Sequence, residues 1–220
     1  MSNEVKILIG IAVATIALVI GAAFLVGGKS DSTQNATKLT TEQTTNLVRE
    51  DSHAKGKSDA KVTIVEFGDF QCPACAATHP VVESLLDEYG DQVYFVFRHY
   101  PLPMHKHAQL AANAAEAAGA QGKFFEMYDA LFQNQPEWEN SNDALKLFEG
   151  YATNIGLDIE QFKTDIEKKT FADKIQQDVT DGNIVGVQAT PTFFINGEEI
   201  RGGLPYDEFK TKIDAILAKE

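Results

Sequence analysis

The 220-residue chain holds two cysteines, Cys72 and Cys75, with only Pro73 and Ala74 between them. None is left over to build a disulfide framework, and a structural zinc site would have to complete its ligand set from five histidines and the carboxylates. The pair therefore reads as redox-active or as half of a metal site. Pro73 suits the first turn of a helix, which places Cys72 at a helix N-terminus. Unpaired backbone N–H groups and the helix dipole there favour negative charge, so the Cys72 thiol is expected to ionise readily. A thiolate is the species that attacks or leaves in disulfide exchange. Cys75, one turn further on, could resolve a mixed disulfide, but must first lose a proton to a nearby base. Glu66 is a candidate, because an acid in the apolar run Val62–Phe67 either points to solvent or has a task. Thr190-Pro191 is the remaining feature: proline supplies no ladder hydrogen bond, and a cis bond would explain its place at the head of an apolar strand, with a trans proline at a strand start as the alternative.

These residues need a scaffold. Val62–Phe67 is short and β-branched and reads as a strand; Gly68–Gln71 is a turn; a helix runs from Pro73 to about Tyr89, where Gly90 stops it; and Gln92–Arg98 is a second strand. Strand, helix and strand in that order imply a parallel pair. Amphipathic stretches follow at His107–Ala120, Phe124–Gln133, Asp143–Asn154, Ile159–Lys168 and Phe171–Asn183. Thr190–Ile195 then leads into Asn196-Gly197, a strong hairpin-turn signal, with Glu198–Arg201 pairing back and a last helix over Tyr206–Ala218. The order is βαβ, a helical block, then ββα.

The formal net charge of -13 argues against nucleic acid as a partner. Ile7–Val26 is apolar except for Thr15, and twenty helical residues span about 30 Å, the thickness of a hydrocarbon core. Residues 1–27 are therefore expected to be an uncleaved transmembrane anchor, with a cleaved signal as the alternative; residues 28–58, rich in small and polar side chains, a flexible linker; and residues 59–220 the folded domain, with a helical insert over about 104–184. His79, four residues after Cys75, could complete a metal site with the cysteines, though helix geometry turns Cys72 away from it. Met104, His105 and His107 read as a helix entry and rim, and Trp138 and the phenylalanines of the insert as core. No metal site is expected.

Val65–Cys75 (VEFGDFQCPAC) resembles the active-site strand and turn of the DsbA-like disulfide oxidoreductases. His99–Pro103 and the helices over His107–Phe132 resemble their linker and insert, and Ala189–Gly197 resembles their cis-proline segment; the likeness covers roughly residues 59 to 220. The resemblance implies an α/β thioredoxin fold with an inserted helical domain. It further implies Cys72 as nucleophile, Cys75 as resolving thiol, Glu66 as a buried acid, and Thr190 and Pro191 as the segment that pairs with substrate. The two sulfurs carry the electrons, so no cofactor is expected. The implied partners are thiol-bearing exported proteins and a membrane protein that reoxidises the pair. The implied location is the cell membrane with the catalytic domain outside the cytoplasm, or secretion after signal cleavage. The dipeptide Pro-Ala departs from the Pro-His of the family's strong oxidant, which removes an imidazole beside the thiolate. A potential between about -120 mV and about -270 mV is the expectation, with a reductase, an isomerase or a tethered metal-binding module as rivals.

Overall fold

In the computed structural model, residues 41–44 and 46–219 are described. The expected membrane anchor and the first part of the expected linker lie outside them; among the described residues no helix is long and apolar enough to cross a membrane.

The described chain opens with α1 (Thr41–Thr44) and β1 (His53–Lys55), followed by β2 (Val62–Gly68), α2 (Pro73–Tyr89) and β3 (Val93–His99). Next come α3 (Ala108–Gly119), α4 (Phe124–Gln133), α5 (Gln135–Trp138), α6 (Ala144–Asn154), α7 (Ile159–Glu167) and α8 (Ala172–Val185). The hairpin β4 (Thr192–Ile195) and β5 (Glu198–Arg201) leads to α9 (Tyr206–Leu217). The five strands form one sheet in the order β1-β3-β2-β4-β5. Among the described strands only β2 and β3 pair in parallel, as their crossover through α2 requires.

Both faces of the central strands are covered, so β2 is buried at every position except Thr63, which is half-buried. Side chains alternate, and the two faces separate cleanly. Val62, Ile64, Phe95, Phe97, Phe193 and Ile195 belong to the larger core, under α2 and the insert. Val65, Phe67, Val96 and Phe194 belong to a smaller core with Leu47, Val185 and Val187. Glu66, by the same alternation, projects into the larger core.

The linker expected over 28–58 is corrected by this structure: its last part belongs to the fold. β1 pairs with β3, His53 facing Phe97 and Lys55 facing Phe95. The turn after it needs Gly56, whose φ is +87° and where any Cβ would collide with the Val93 carbonyl. Arg98 holds the segment before it. This guanidinium is fully buried, with Nε 2.7 Å from Asp178 Oδ1 and Nη2 2.6 Å from Asp181 Oδ2, while Nη1 donates to the carbonyls of Asn46 and Leu47, both at 2.9 Å. Polar composition suggested a spacer because short, half-exposed β1 has no run of large apolar residues, and its partners lie far along the chain.

Removing one member of a buried charge network leaves the others uncompensated. Arg98→Met should cost about 3–5 kcal/mol in urea unfolding, with loss of protection against proteolysis beginning at residues 46–58; an unchanged midpoint would contradict this account of Arg98.

Candidate functional site

The site forms where β2 ends. β2 pairs antiparallel with β4, Phe67 opposite Thr192, so the turn leaving β2 and the turn entering β4 lie side by side. The first carries Cys72, the second the cis Thr190–Pro191 bond. The structure thus brings Cys72, Cys75, Glu66, Thr190 and Pro191 together at one end of the sheet.

Cys72 is the N-cap of α2, with Pro73 in the first turn. Its thiol donates to the Thr190 carbonyl at 3.3 Å. Both cysteines are free, Cys72 6% and Cys75 0% exposed. Their surroundings drive the two thiols apart. A hydrogen bond from Cys75, contributions from Thr190 and the backbone N–H groups of Cys75 and Ala74 outweigh burial and bring Cys72 down to about 5. The Thr190 hydroxyl is buried with no other partner, which leaves it to donate to the Cys72 thiolate. Burial is the largest effect on Cys75 and pushes it well up, joined by its bond to Cys72 and the negative charge of Glu66. Glu66 is 1% exposed. Burial raises it to about 8, against an opposing hydrogen bond from Tyr128, and the Cys72 charge adds to the rise. The acid in the apolar run is therefore the buried alternative, and the surface reading of Glu66 is excluded.

Several residues outside the sequence reading hold this geometry. Asp69, buried, accepts from the N–H of Gln71 at 2.8 Å and of Leu102 at 2.9 Å, and lies 2.6 Å from His105 Nδ1. Its own carbonyl receives the Cys72 N–H at 3.0 Å. Gln135 at the start of α5 donates to the carbonyls of Phe70 and Cys72, at 2.7 and 3.1 Å. Gln71 donates to the Glu139 carbonyl at 2.8 Å and accepts from the His107 N–H. Asp69 had a local signal, a Gly-Asp pair beside the motif; Gln135 had none, since its contact spans more than sixty positions.

The histidines weighed as metal ligands, His79, His105 and His107, do not converge. His105 serves Asp69, His107 Nε2 lies 2.8 Å from the Ser141 carbonyl, and Met104 is exposed. His79 turns from the cysteines toward α4, with Nε2 2.9 Å from Asp129 Oδ1 and its ring against Tyr128 and Phe132. His79, Glu83 and Asp129 bring potential metal ligands within 4.8 Å of one another. Each is already engaged, however: Asp129 by His79, and both Glu83 oxygens by Lys55 at 3.0 and 3.1 Å.

A family described as Thioredoxin matches residues 48–215. The chain belongs to this family. Among solved structures it is similar to oxidised BdbD of Bacillus subtilis, with 28% identity, a TM-score of 0.69, and coverage of 83% of this chain and 97% of that one. It is also similar to alpha-DsbA1 of Wolbachia pipientis (25% identity, TM-score 0.73, 81% and 97% covered). A thioredoxin-like oxidoreductase of Silicibacter pomeroyi gives 26%, 0.68, and coverage of 83% and 100%. The protein is thus DsbA-like within the thioredoxin superfamily, and its fold supports dithiol–disulfide exchange. Curated relatives include the Na(+)/H(+) antiporter NhaA 1 of Salinispora arenicola, 38% identical over 76% of this chain, and NhaA 3 of Salinispora tropica, 42% identical over 70%. The chain spans about a quarter of the length of these relatives.

Two measurements follow from the pKa pattern. Alkylation of the reduced protein by iodoacetamide should inflect near pH 5, at Cys72, with Cys75 protected in the native state; an inflection near the ordinary thiol value would contradict it. Glu66 binds its proton more tightly folded than unfolded, so between its ordinary value of 4.5 and about 8 the folded state holds the extra proton and stability falls as pH rises. In the oxidised protein, Glu66→Gln should remove that fall and stabilise by more than about 1 kcal/mol at pH 8. Parallel pH–stability curves for the two proteins would disprove the burial effect.

Proposed function

We propose that this chain is a protein-disulfide oxidoreductase that oxidises cysteines of exported proteins through the Cys72–Cys75 pair. The observation that carries the reading is the divergence of the two thiols. A reduced form in which Cys72 is a stabilised thiolate makes the disulfide readier to accept electrons. In the oxidising direction a client thiolate attacks Cys72 of the disulfide and Cys75 leaves. Cys75 then takes a proton from Glu66, whose carboxyl is protonated below about pH 8. A second client thiolate attacks its partner sulfur and releases Cys72 as thiolate, a good leaving group at a depressed pKa. The client gains a disulfide and the enzyme two electrons, which a membrane redox partner removes. Thr190 and Pro191 stand beside Cys72 to receive the client backbone, and the exposed Gln188 and Ala189 border the approach. The apolar run Ile7–Val26 supports a membrane-tethered domain outside the cytoplasm.

The reverse direction, reductase or isomerase, is favoured by one feature: Ala74 stands where an imidazole would further stabilise the thiolate.

Two experiments divide these readings. Cys75→Ser should accumulate mixed disulfides between Cys72 and client proteins; their absence would remove exchange altogether. Equilibration of the wild-type protein with glutathione buffers should give a potential less negative than about -200 mV. A value at or below about -270 mV, that of thioredoxin, would reverse the direction of electron flow.

A further inference from the structure

We propose that Tyr128 of the helical insert is a positioning residue for the proton transfer at Cys75, its phenol O–H holding the Glu66 carboxylate as the acceptor. The inference rests on the exchange reading above and extends it from the sheet to the insert.

Tyr128 is fully buried on α4 among Phe70, Phe95, Phe97, Phe124 and Phe132, a place where phenylalanine would satisfy packing alone. A buried hydroxyl is costly without a partner. The partner is Glu66, whose Oε2 lies 3.5 Å from Tyr128 Oη. Glu66 is itself wrapped by strand neighbours with no polar side chain, Phe97 on β3 and Phe193 on β4. The titratable groups facing the pair are Cys75, His79 and Glu83 on α2, Asp129 on α4, and Cys72 at the cap of α2. Burial and the surrounding negative charges push the phenol well above its ordinary value, so it stays a donor at every working pH. A fixed donor stabilises the carboxylate over the carboxylic acid, and so opposes the burial that raises Glu66.

The chemistry balances within the site. When a mixed disulfide on Cys72 is resolved, the Cys75 proton passes to the Glu66 carboxylate. The Cys75 sulfur bonds to Cys72, and the bond from Cys72 to the outgoing thiol breaks, releasing it as thiolate. In the oxidising direction the same proton returns from Glu66 to Cys75. The phenol proton stays on Tyr128 throughout.

The test uses the reduced full chain and the aryl disulfide DTNB. Attack by Cys72 releases one thionitrobenzoate, and resolution by Cys75 releases a second in a slower phase. The wild-type second phase should accelerate with pH through an inflection near 8, the Glu66 value. In Tyr128→Phe the inflection should move up by about half to one pH unit, slowing resolution at neutral pH by about 3- to 10-fold. The first phase should not change. In a Glu66→Gln background the Tyr128→Phe substitution should add nothing to the second phase. Should Tyr128→Phe fail to fold, difluorotyrosine at position 128, a stronger donor of nearly the same shape, should move the inflection downward. An inflection unmoved in folded Tyr128→Phe, or unmoved or raised with difluorotyrosine, overturns the role of Tyr128. A wild-type protein that lacks the second phase, or a Cys75→Ser variant that retains it, overturns the exchange reading instead.

Discussion

The antiparallel pairing of β2 with β4 is the constraint on which the site depends. Cys72 and Thr190 are 118 positions apart, yet Phe67 opposite Thr192 fixes them at the same end of the sheet. The intervening helices occupy that separation without disturbing the register, because they pack on the faces of the sheet: α3 and α4 over the larger core, and α8 over the smaller one through Val185. A one-residue slip of β4 would exchange Phe193 and Phe194 between the two cores and move Thr190 from Cys72. Burial of large aromatics on both faces therefore fixes the chemistry as well as the fold. Phe193 packs on Phe209 of α9 and Phe194 on Phe67, so each side of β4 has its own anchor.

Given that register, the site is governed by where water is excluded. Cys75 and Glu66 lie inside the larger core, where burial disfavours charge on both. Cys72 lies at its margin, where the end of α2 supplies donors that need no desolvation of a competing side chain. The two sulfurs are one helical turn apart but occupy opposite electrostatic environments. A proton released inside such a core needs an internal acceptor, and the acid on β2 is placed for it by strand alternation. Insert and sheet are consequently not independent modules: Gln135 and Gln71 tie the turn of Cys72 to the insert, and Tyr128 ties Glu66 to it.

Much of this was legible in the sequence wherever a local rule sufficed. Pro73 after Cys72 marks the helix start, Gly90 its end, and Asn196-Gly197 the hairpin, and the observed α2, β4 and β5 follow those signals. The cis bond at Pro191 agrees with an unusual proline at a strand start. Illegible were features whose partners are distant and whose own surroundings are polar. β1 carries only His53, Ala54 and Lys55, and becomes a strand because the free edge of β3 is there to pair. Arg98 sits in the run QVYFVFR like a strand-terminal charge, and its burial makes sense only once Asp178 and Asp181, eighty residues on, face it. Tyr128 shares its helix face with Phe125, Leu131 and Phe132, so periodicity alone classes it with the core.

The Pro-Ala dipeptide shifts the control of reactivity from a side chain to the backbone. With no imidazole in the motif, the Cys72 thiolate relies on the Cys75 thiol, Thr190 and the N–H groups of Ala74 and Cys75. Those donors are only as well aimed as the turn that carries them. The turn is held by Asp69 through the Gln71 and Leu102 N–H groups, and by Gln135 through the Phe70 and Cys72 carbonyls. A side-chain stabiliser can be exchanged by one substitution within the motif. A backbone stabiliser is a property of the whole turn, so the ionisation of Cys72 depends on residues outside Cys72–Cys75. That accounts for buried polar side chains gathered around a motif whose own intervening residues, Pro73 and Ala74, are exposed and chemically plain.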